Sequence, residues 1–239
     1  MMRLQVALAQ LGYASRRRAA ELIKSGKAKV NGKIVLSPGK RVDPASDRIT
    51  VDGKAKEIPK KVYFLLNKPK GVVSTVKDRH AAKTALDLIK QNGLRIYPVG
   101  RLDQDTNGLL IISNDGELAY RLTHPKFGIK KVYRICIEGT IAPEKVRELE
   151  KGILLEGRRT FPCKIEIVTR QKDITKLQVQ LTEGRKRQIK KMFARVGHPV
   201  LEIHRIAFGP LKLAGLKIGE WRPLKEQEIM ELKKATGLN

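Results

Sequence analysis

The stretch Gly100-Arg101-Leu102-Asp103-Gln104-Asp105-Thr106-Asn107-Gly108 runs directly into four apolar residues, Leu109-Leu110-Ile111-Ile112. A polar loop followed by an apolar run predicts a tight turn that enters a buried β-strand. An ionised Asp103 at such a place needs hydrogen-bond or charge partners, because water is excluded from it. The same residues also fit a plain turn, in which Asp105 and its neighbours only reverse the chain. The rest of the sequence has to decide between a reactive carboxylate and a turn.

The charge balance of the chain indicates a polyanionic partner. The 239 residues include 50 Lys and Arg but only 24 Asp and Glu, so the formal net charge is +26. This balance says little about the fold, but clustered cations attract phosphates. A Lys-rich surface can also reflect adaptation to heat, although such surfaces usually carry matching acids. We therefore expect nucleic acid as the partner, with an acidic membrane surface as the alternative.

Several classes of protein are disfavoured by what the sequence lacks. No apolar run approaches the ~18–20 residues of a membrane span. The N-terminus, Met1-Met2-Arg3-Leu4-Gln5, lacks the apolar core of a signal peptide. Cys136 and Cys163 form no CxxC motif, which argues against structural zinc and against a secreted disulfide scaffold. We therefore expect a cytoplasmic protein with no membrane partner and no metal.

Residues 1–53 have the pattern of two helices followed by a hairpin. Apolar residues recur at helical spacing over 3–11, and Ser15 is a candidate N-cap for a second helix over 16–23. Asn31-Gly32, a preferred pair for a tight turn, separates two short strand-like segments. The pattern resembles the small RNA-binding domain named after ribosomal small-subunit protein four. The resemblance is carried by Leu4, Leu8, Leu11, Gly12, Ser15, Arg16, Ala19, Leu22, Ile23, Gly26, Ala28, Val30, Asn31 and Gly32.

The polar segment 54–61, interrupted by Pro59, is typical of a linker. It separates the basic N-terminal domain from a second domain over 62–239. Arg16-Arg17-Arg18 opens the second helix, where the helix dipole disfavours cations. Because this placement suits phosphates better than it suits the helix, we predict that the three arginines bind RNA. A solvated run of charge is the alternative.

The second domain mixes short helices with many strands, which predicts an α+β fold around a mixed, mainly antiparallel sheet. Pro69 and Gly71 favour a loop that presents Lys68 and Lys70 between apolar runs. The apolar spacing predicts strands over 62–66, 109–112, 131–138, 165–168 and 177–181, and helices over 84–89, 117–122 and 143–149.

Residues 183–195 predict a glycine turn followed by a strongly basic helix. An apolar stripe of Ile189, Met192 and Phe193 would face the core, and cations occupy the remaining surface. Such a helix can follow an RNA backbone, although an ordinary amphipathic surface helix is the alternative.

Three motifs stand in one order: Lys-Pro-x-Gly at 68–71, Gly-Arg-Leu-Asp-x-x-Thr-x-Gly-Leu-Leu at 100–110, and Glu-Gly-Arg-x-Arg-Gln-Ile-Lys at 183–190. Lys131-Val132-Tyr133 lies between the second and the third, and Gly197-His198-Pro199-Val200 follows them. This ordered set resembles the RsuA/RluB family of pseudouridine synthases, and the likeness extends from the N-terminal domain through Leu224.

The resemblance implies the isomerisation of a uridine already inside RNA, in which the uracil is detached and rejoined through carbon 5. Nothing is oxidised or reduced and no group comes from outside, so no cofactor is expected. By the same resemblance Asp103 is the catalytic carboxylate, acting either on the ribose or on the uracil. Tyr133 would stack on the uracil and relay the carbon-5 proton. Lys190 would pair with Asp103 and hold it ionised, more loosely than an arginine would.

The remaining residues of the motifs have supporting roles in this interpretation. Arg101 would help to expel the target nucleotide from its stack, which costs a few kcal/mol. Asp105, Asn107 and Gly108 are expected only to shape the turn. The predicted RNA contacts are Arg16, Arg17, Arg18, Lys68, Lys70, Arg101, Arg185 and Arg187.

The sequence therefore predicts a ribosomal RNA pseudouridine synthase that acts as a monomer. The form of the third motif and the segment 206–211 favour the large-subunit branch of the family, and hence 23S rRNA. An enzyme for 16S rRNA is the nearest alternative. A non-catalytic assembly factor that binds rRNA is a second alternative, which the presence of Asp103, Tyr133 and Lys190 disfavours.

Overall fold

The computed structural model describes residues 1–76, 83–89 and 93–238. The chain forms two compact units, one built mainly from Met1–Val62 and the other mainly from Tyr63 onward. Within the described residues, no helix is long and apolar enough to cross a membrane.

The first unit packs two helices against short strands. The predicted helices and the hairpin are confirmed, and Ser15 accepts a hydrogen bond from the backbone of Arg18 at 3.2 Å, as an N-cap does. Asn31 and Gly32 both have positive φ, as a tight hairpin turn requires. Its elements are β1 (Met2–Arg3), α1 (Leu4–Gln10), α2 (Arg16–Lys24), β2 (Ala28–Val30), β3 (Lys33–Ile34), β4 (Arg41–Val42), β5 (Ile49–Val51) and β6 (Lys54–Ala55).

The segment predicted as a linker lies within the first unit, and its first two residues form a strand. Lys54 and Ala55 form β6 and pair with Val51 and Thr50 of β5, so the four-stranded sheet runs in the order β3-β2-β5-β6. The prediction was wrong for these two residues because backbone pairing does not need apolar side chains. Both residues are exposed at the edge of the sheet.

The second unit is built around a sheet to which the described residues contribute nine strands. Its strands are β7 (Tyr63–Lys68), β8 (Tyr97–Val99), β9 (Asn107–Ser113), β10 (Lys131–Glu138), β13 (Lys164–Arg170), β14 (Ile174–Leu181), β15 (Val200–Phe208), β16 (Leu211–Lys212) and β17 (Trp221–Pro223), with the separate pair β11 (Leu154–Leu155) and β12 (Arg158–Arg159). Its helices are α3 (Gly116–Thr123), a 3₁₀ turn at Pro125–Phe127, α4 (Pro143–Lys151), α5 (Gln188–Arg195) and α6 (Glu226–Ala235).

The sheet is mixed and mainly antiparallel, as predicted. The main strand order is β13-β14-β10-β15-β9-β7-β17, and only the pair β15 and β9 is parallel among the described strands. Strand β9 is central, and its residues 109–112 are fully buried. Burying each such side chain stabilises the fold by roughly 1.5–3 kcal/mol. The apolar run that follows the turn of Asp103 is therefore the middle of the core.

Gly108 allows the parallel strands β9 and β15 to approach each other closely. Its φ is +115°, and a Cβ atom there would lie 2.6 Å from the backbone nitrogen of Arg205. Asn107 and Gly108 thus belong to β9 and not to the turn, which corrects the role predicted for them. The spacing of polar residues could not show this, because the close approach involves a strand almost 100 residues later.

The helix predicted over 84–89 is absent, and the segment forms turns instead. The amide of Asp87 donates to the carbonyl of Thr84 at 3.2 Å, and that of Ile89 donates to Leu86 at 3.0 Å. The amide of Ala85 donates to the carbonyl of Val73 at 2.9 Å, which holds the start of the segment in an extended bridge. The bridge holds Thr84 in an extended conformation, and the chain continues from it in tight turns and not in a regular helix.

Candidate active site

Asp103 opens a tight turn at the entrance to β9. The amide of Thr106 donates to the carbonyl of Asp103 at 3.0 Å, which closes the turn over residues 103–106. The side chain of Asp103 is half-buried, whereas that of Asp105 at the tip of the turn is exposed. The turn therefore leaves Asp105 more exposed to solvent than Asp103.

The segment 69–74 holds the turn from both sides of Asp103. The hydroxyl of Ser74 donates to the carbonyl of Leu102 at 3.0 Å and accepts from the amide of Leu102 at 3.1 Å. On the other side, the amide of Gly71 donates to the carbonyl of Gln104 at 2.8 Å, and Nε2 of Gln104 donates to the carbonyl of Gly71 at 3.2 Å. The residues before and after Asp103 are thus both fixed, which restricts where its carboxylate can point.

Lys68 lies beneath this segment and not on a surface loop. Strand β7 continues through Lys68, whose side chain is fully buried. Its Nζ donates to the carbonyls of Pro69 and Val72 at 2.9 and 2.7 Å. Burial lowers the pKa of Lys68 to about 8, although the charges of Asp105 and Asp103 oppose the shift. The fully buried Lys68 is therefore not placed to contact RNA, because its ammonium group donates to two backbone carbonyls inside the protein.

The three predicted catalytic residues line one cavity of about 340 Å³. Asp103 comes from the turn before β9, Tyr133 from β10 and Lys190 from α5. The pairing of β10 with β15 shifts register between Val132 and Tyr133, and such an irregularity can redirect a side chain. Arg101, Arg185 and Arg187 line the same cavity.

Lys190 pairs with Asp105 and not with Asp103, which corrects the predicted ion pair. Its Nζ hydrogen-bonds to Oδ2 of Asp105, and a guanidinium nitrogen of Arg187 lies 3.9 Å from the same oxygen. Partial burial raises the pKa of Asp105, but the hydrogen bond and charge of Lys190 outweigh it, so the net pKa is lowered. Asp105 is therefore the carboxylate that holds the basic helix beside the turn.

Arg185 faces the cavity, but its guanidinium is used inside the protein. Its Nε donates to Glu183 at 3.1 Å, its Nη1 donates to the carbonyl of Arg158 at 2.8 Å, and its Nη2 donates to the carbonyl of Arg159. Glu183 also accepts from the side chain of Gln188 at 2.8 Å. These contacts fix the loop before α5, so the predicted contact of Arg185 with RNA is not favoured by the geometry.

Two buried cations, Lys131 and Arg205, also line the cavity. The sequence analysis assigned no role to either of them. Lys131 donates to the carbonyl of Ile129 at 2.9 Å, and burial, with the charge of Arg205, lowers the pKa of Lys131 to about 8. Arg205 donates from Nε to the carbonyl of Leu109 at 2.8 Å, and its guanidinium lies over the ring of Phe208. A signal for Lys131 was present, since it is the one charged residue on the otherwise apolar face of β10.

The remaining predicted RNA contacts are exposed. Arg101 and Lys70 lie on the surface of the second unit, and Arg187 is half-exposed at the start of α5. In the first unit Arg16, Arg17 and Arg18 are exposed on the first turn of α2, where Arg18 pairs with Glu21 at 2.6 Å. These positions leave the predicted contacts available to a phosphate backbone.

Comparisons with known proteins cover both parts of the chain. Residues 62–195 match the RNA pseudouridylate synthase family, and residues 2–49 match the S4 domain. The chain is 44% identical to the ribosomal large subunit pseudouridine synthase B of Bacillus subtilis (strain 168), over 98% of this chain and 96% of that protein. It is 42% identical to an uncharacterized RNA pseudouridine synthase of Aquifex aeolicus (strain VF5), over 97% and 93% of the two chains.

A solved structure supports the same assignment. A crystal structure of a pseudouridylate synthase matches with a TM-score of 0.70 at 31% identity, and the match covers 97% of this chain and 100% of that one. Fold and sequence together define an RNA-modifying isomerase. The chain belongs to the RNA pseudouridylate synthase family, and the resemblance found in its sequence is confirmed.

Proposed function

We propose that this protein converts one uridine of 23S ribosomal RNA to pseudouridine, with Asp103 as its catalytic carboxylate. The observation that carries the proposal is the meeting of Asp103, Tyr133 and Lys190 in one cavity large enough for a nucleotide. The choice of rRNA rests on the relative from Bacillus subtilis, whose name refers to the large ribosomal subunit. A ribosomal substrate implies that the protein acts in the cytoplasm.

The reaction needs no reagent beyond the RNA itself. The bond between N1 of uracil and C1′ of the ribose breaks, a bond between C5 and C1′ forms, and the proton on C5 is removed while N1 gains one. Asp103 would act on the ribose or on the base while the uracil is detached. Tyr133 would stack on the uracil and relay the proton from carbon 5.

Lys190 has a positioning role in this proposal that differs from the pairing predicted for it. Its bond to Asp105 keeps the ammonium at the wall of the cavity, where its charge favours the ionised form of nearby carboxylates. Arg101, exposed at the cavity two residues before Asp103, remains our candidate for the residue that expels the target nucleotide from its stack.

Binding of the rRNA would be shared between the two parts of the chain. We propose residues 1–53 as the RNA-binding domain, 62–239 as the catalytic domain and the segment between them as the linker, apart from the strand at Lys54–Ala55. The exposed arginines of α2 would contact phosphates. The protein would act as a monomer and without a cofactor.

The proposal is tested by measuring pseudouridine in 23S and 16S rRNA from cells with and without the protein, and in transcripts treated with the purified enzyme. Asp103→Asn is expected to lower turnover at least about a thousandfold while rRNA binding stays within about twofold. Asp173→Asn, in the exposed turn before β14, is the matched control and should leave turnover unchanged.

Three outcomes would contradict the proposal in different ways. Near-normal turnover of Asp103→Asn would remove Asp103 as the catalytic residue. Pseudouridine that depends on the protein only in 16S rRNA would move the activity to the small subunit. Binding without any isomerisation would favour the non-catalytic assembly factor.

A further inference from the structure

A second cavity, of about 410 Å³, shares a wall with the cavity of Asp103. Arg187, Lys190 and Ile203 line both cavities, whereas Asp103 lines only the first and Asp105 lines only the second. The ion pair of Lys190 and Asp105 therefore stands between them. The second cavity is lined by Lys70, Asp105, Arg187, Lys190, Ala194, Pro199, Val200, Leu201 and Ile203.

The lining of the second cavity combines cations with exposed apolar surface. Lys70 is exposed, and the guanidinium of Arg187 is about half exposed at 3.9 Å from the carboxylate of Asp105, so both side chains can reach an anion in the cavity. Pro199, Val200 and Leu201 come from the start of β15 and the residue before it, and Leu201 is 52% exposed. An exposed leucine beside two exposed cations suits a ligand with a flat apolar face and a negative charge.

A nucleotide has both of these properties. Proteins that bind single-stranded RNA place bases against flat apolar or aromatic surfaces and place phosphates against Lys and Arg. The volume is within the range of small-ligand sites and slightly larger than the cavity proposed for the target nucleotide. Because the two cavities share a wall, the chain of an RNA can enter both with consecutive nucleotides.

We propose that the second cavity binds the base of a nucleotide directly adjacent to the target uridine, against Leu201, with Lys70 and Arg187 on the flanking phosphates. This subsite rests on the proposed function and makes it more specific. It implies that the enzyme displaces two neighbouring nucleotides and that the second contributes to the choice of target.

The role of Asp105 follows from its place in the dividing wall. Its carboxylate repels an entering phosphate unless it is neutralised, and Lys190 and Arg187 together supply that neutralisation. Arg187 can leave Asp105 for a phosphate because Lys190 keeps the closer bond.

The test combines changes in the RNA with changes in the protein. The probe is a short RNA that contains the uridine modified by the wild-type enzyme, made intact or with an abasic site immediately 5′ or 3′ of the target. For the wild type, one of the two abasic sites is expected to lower kcat/KM about tenfold, and the other less than about twofold.

Leu201→Ser removes the apolar face that would contact the base. On the intact RNA, kcat/KM of this variant should be about tenfold lower than that of the wild type. The sensitive abasic site should then lower kcat/KM of the variant by less than about twofold, because both changes remove the same contact. Ile218→Ser is the matched control, since Ile218 is exposed at 58% outside both cavities, and it should keep the full sensitivity to the abasic site.

A second variant tests the cations. Lys70→Gln should keep the abasic sensitivity and lower the slope of log affinity against log salt by about 0.7–0.9, as expected for one phosphate contact. If the losses in kcat/KM caused by Leu201→Ser and by the abasic site multiply, the two changes act independently and the subsite is overturned. The subsite is also overturned if neither abasic site lowers kcat/KM. Both outcomes leave the proposed function intact. An intact RNA that gains no pseudouridine from the wild type would overturn both the subsite and the proposed function.

Discussion

Two sets of basic side chains in this protein serve opposite purposes. Lys68, Lys131 and Arg205 are buried, and each donates to backbone carbonyls of the second unit. The exposed set consists of the α2 arginines together with Lys70 and Arg101. A buried and an exposed basic residue each add one unit to the formal net charge of +26, so the net charge alone cannot tell which residues bind RNA. We expect the buried set to determine stability and the geometry of Asp103, and the exposed set to determine affinity for RNA.

The contrast is sharpest at the neighbouring residues Lys68 and Lys70. Lys68→Met is expected to lower the free energy of unfolding by about 2 kcal/mol at pH 7, because two buried carbonyls lose their donor. Lys70→Met should change it by less than about 0.5 kcal/mol, since Lys70 is exposed. Urea denaturation measures both. If both variants lower the free energy of unfolding equally, the buried and the exposed basic residues do not differ in their effect on stability.

The pH dependence of the same pair tests whether Lys68 carries a buried charge. Burial lowers its pKa to about 8 from an ordinary 10.5, so between these values the unfolded chain binds a proton that the folded chain does not. The free energy of unfolding therefore gains a contribution from Lys68 that rises with pH over this window and is absent below pH 8. Lys68→Met lacks the contribution.

The difference in unfolding free energy between wild type and Lys68→Met should accordingly grow by about 2 kcal/mol from pH 8 to pH 10. Taking the difference removes the other titrating groups, including Lys131, which both proteins retain. A difference that stays constant over this range would mean that Lys68 titrates normally in the folded protein.

Most of the sheet and the membership of the active site could be predicted from the sequence, but the contacts within the site could not. The apolar run at 109–112 identified the central strand, and the three motifs identified Asp103, Tyr133 and Lys190 as members of one cavity. The prediction that Lys190 pairs with Asp103 was wrong, because its partner is Asp105, two residues later in the same turn. Sequence spacing cannot show which of the two carboxylates faces a lysine 85 residues later.

The error at Lys68 has a similar cause. Strand β7 was expected to end at Leu66, where Asn67 interrupts the apolar run. The strand continues because the amide of Asn67 donates to the carbonyl of Glu220 at 3.0 Å, and its side chain donates to Leu216 at 2.8 Å. Partners about 150 residues away decide where this strand ends, so local patterns placed Lys68 in a loop.

Ser74 tests whether the hydrogen bonds that hold the turn act on catalysis through the position of Asp103. Ser74→Ala removes both bonds to Leu102 and should lower kcat about tenfold with little change in KM, because the turn loses one of its two supports. Ser74→Thr keeps the hydroxyl and should recover most of the rate. Ser46→Ala, at an exposed position of the first unit, is the control. If the threonine variant is as slow as the alanine variant, the hydroxyl is not what positions Asp103.

The smallest expected effect belongs to a single arginine of the exposed set. Arg17→Gln should weaken rRNA binding about threefold at physiological salt and reduce the slope of log affinity against log salt by about 0.7–0.9. Its kcat at saturating RNA should be unchanged, because the residue only contacts the backbone of the RNA. Lys145→Gln on α4, whose exposed lysine pairs with Glu148, is the control and should leave the slope unaltered. A lower kcat with an unchanged slope would place Arg17 with the residues that act on the geometry of the site and would end the division into two sets.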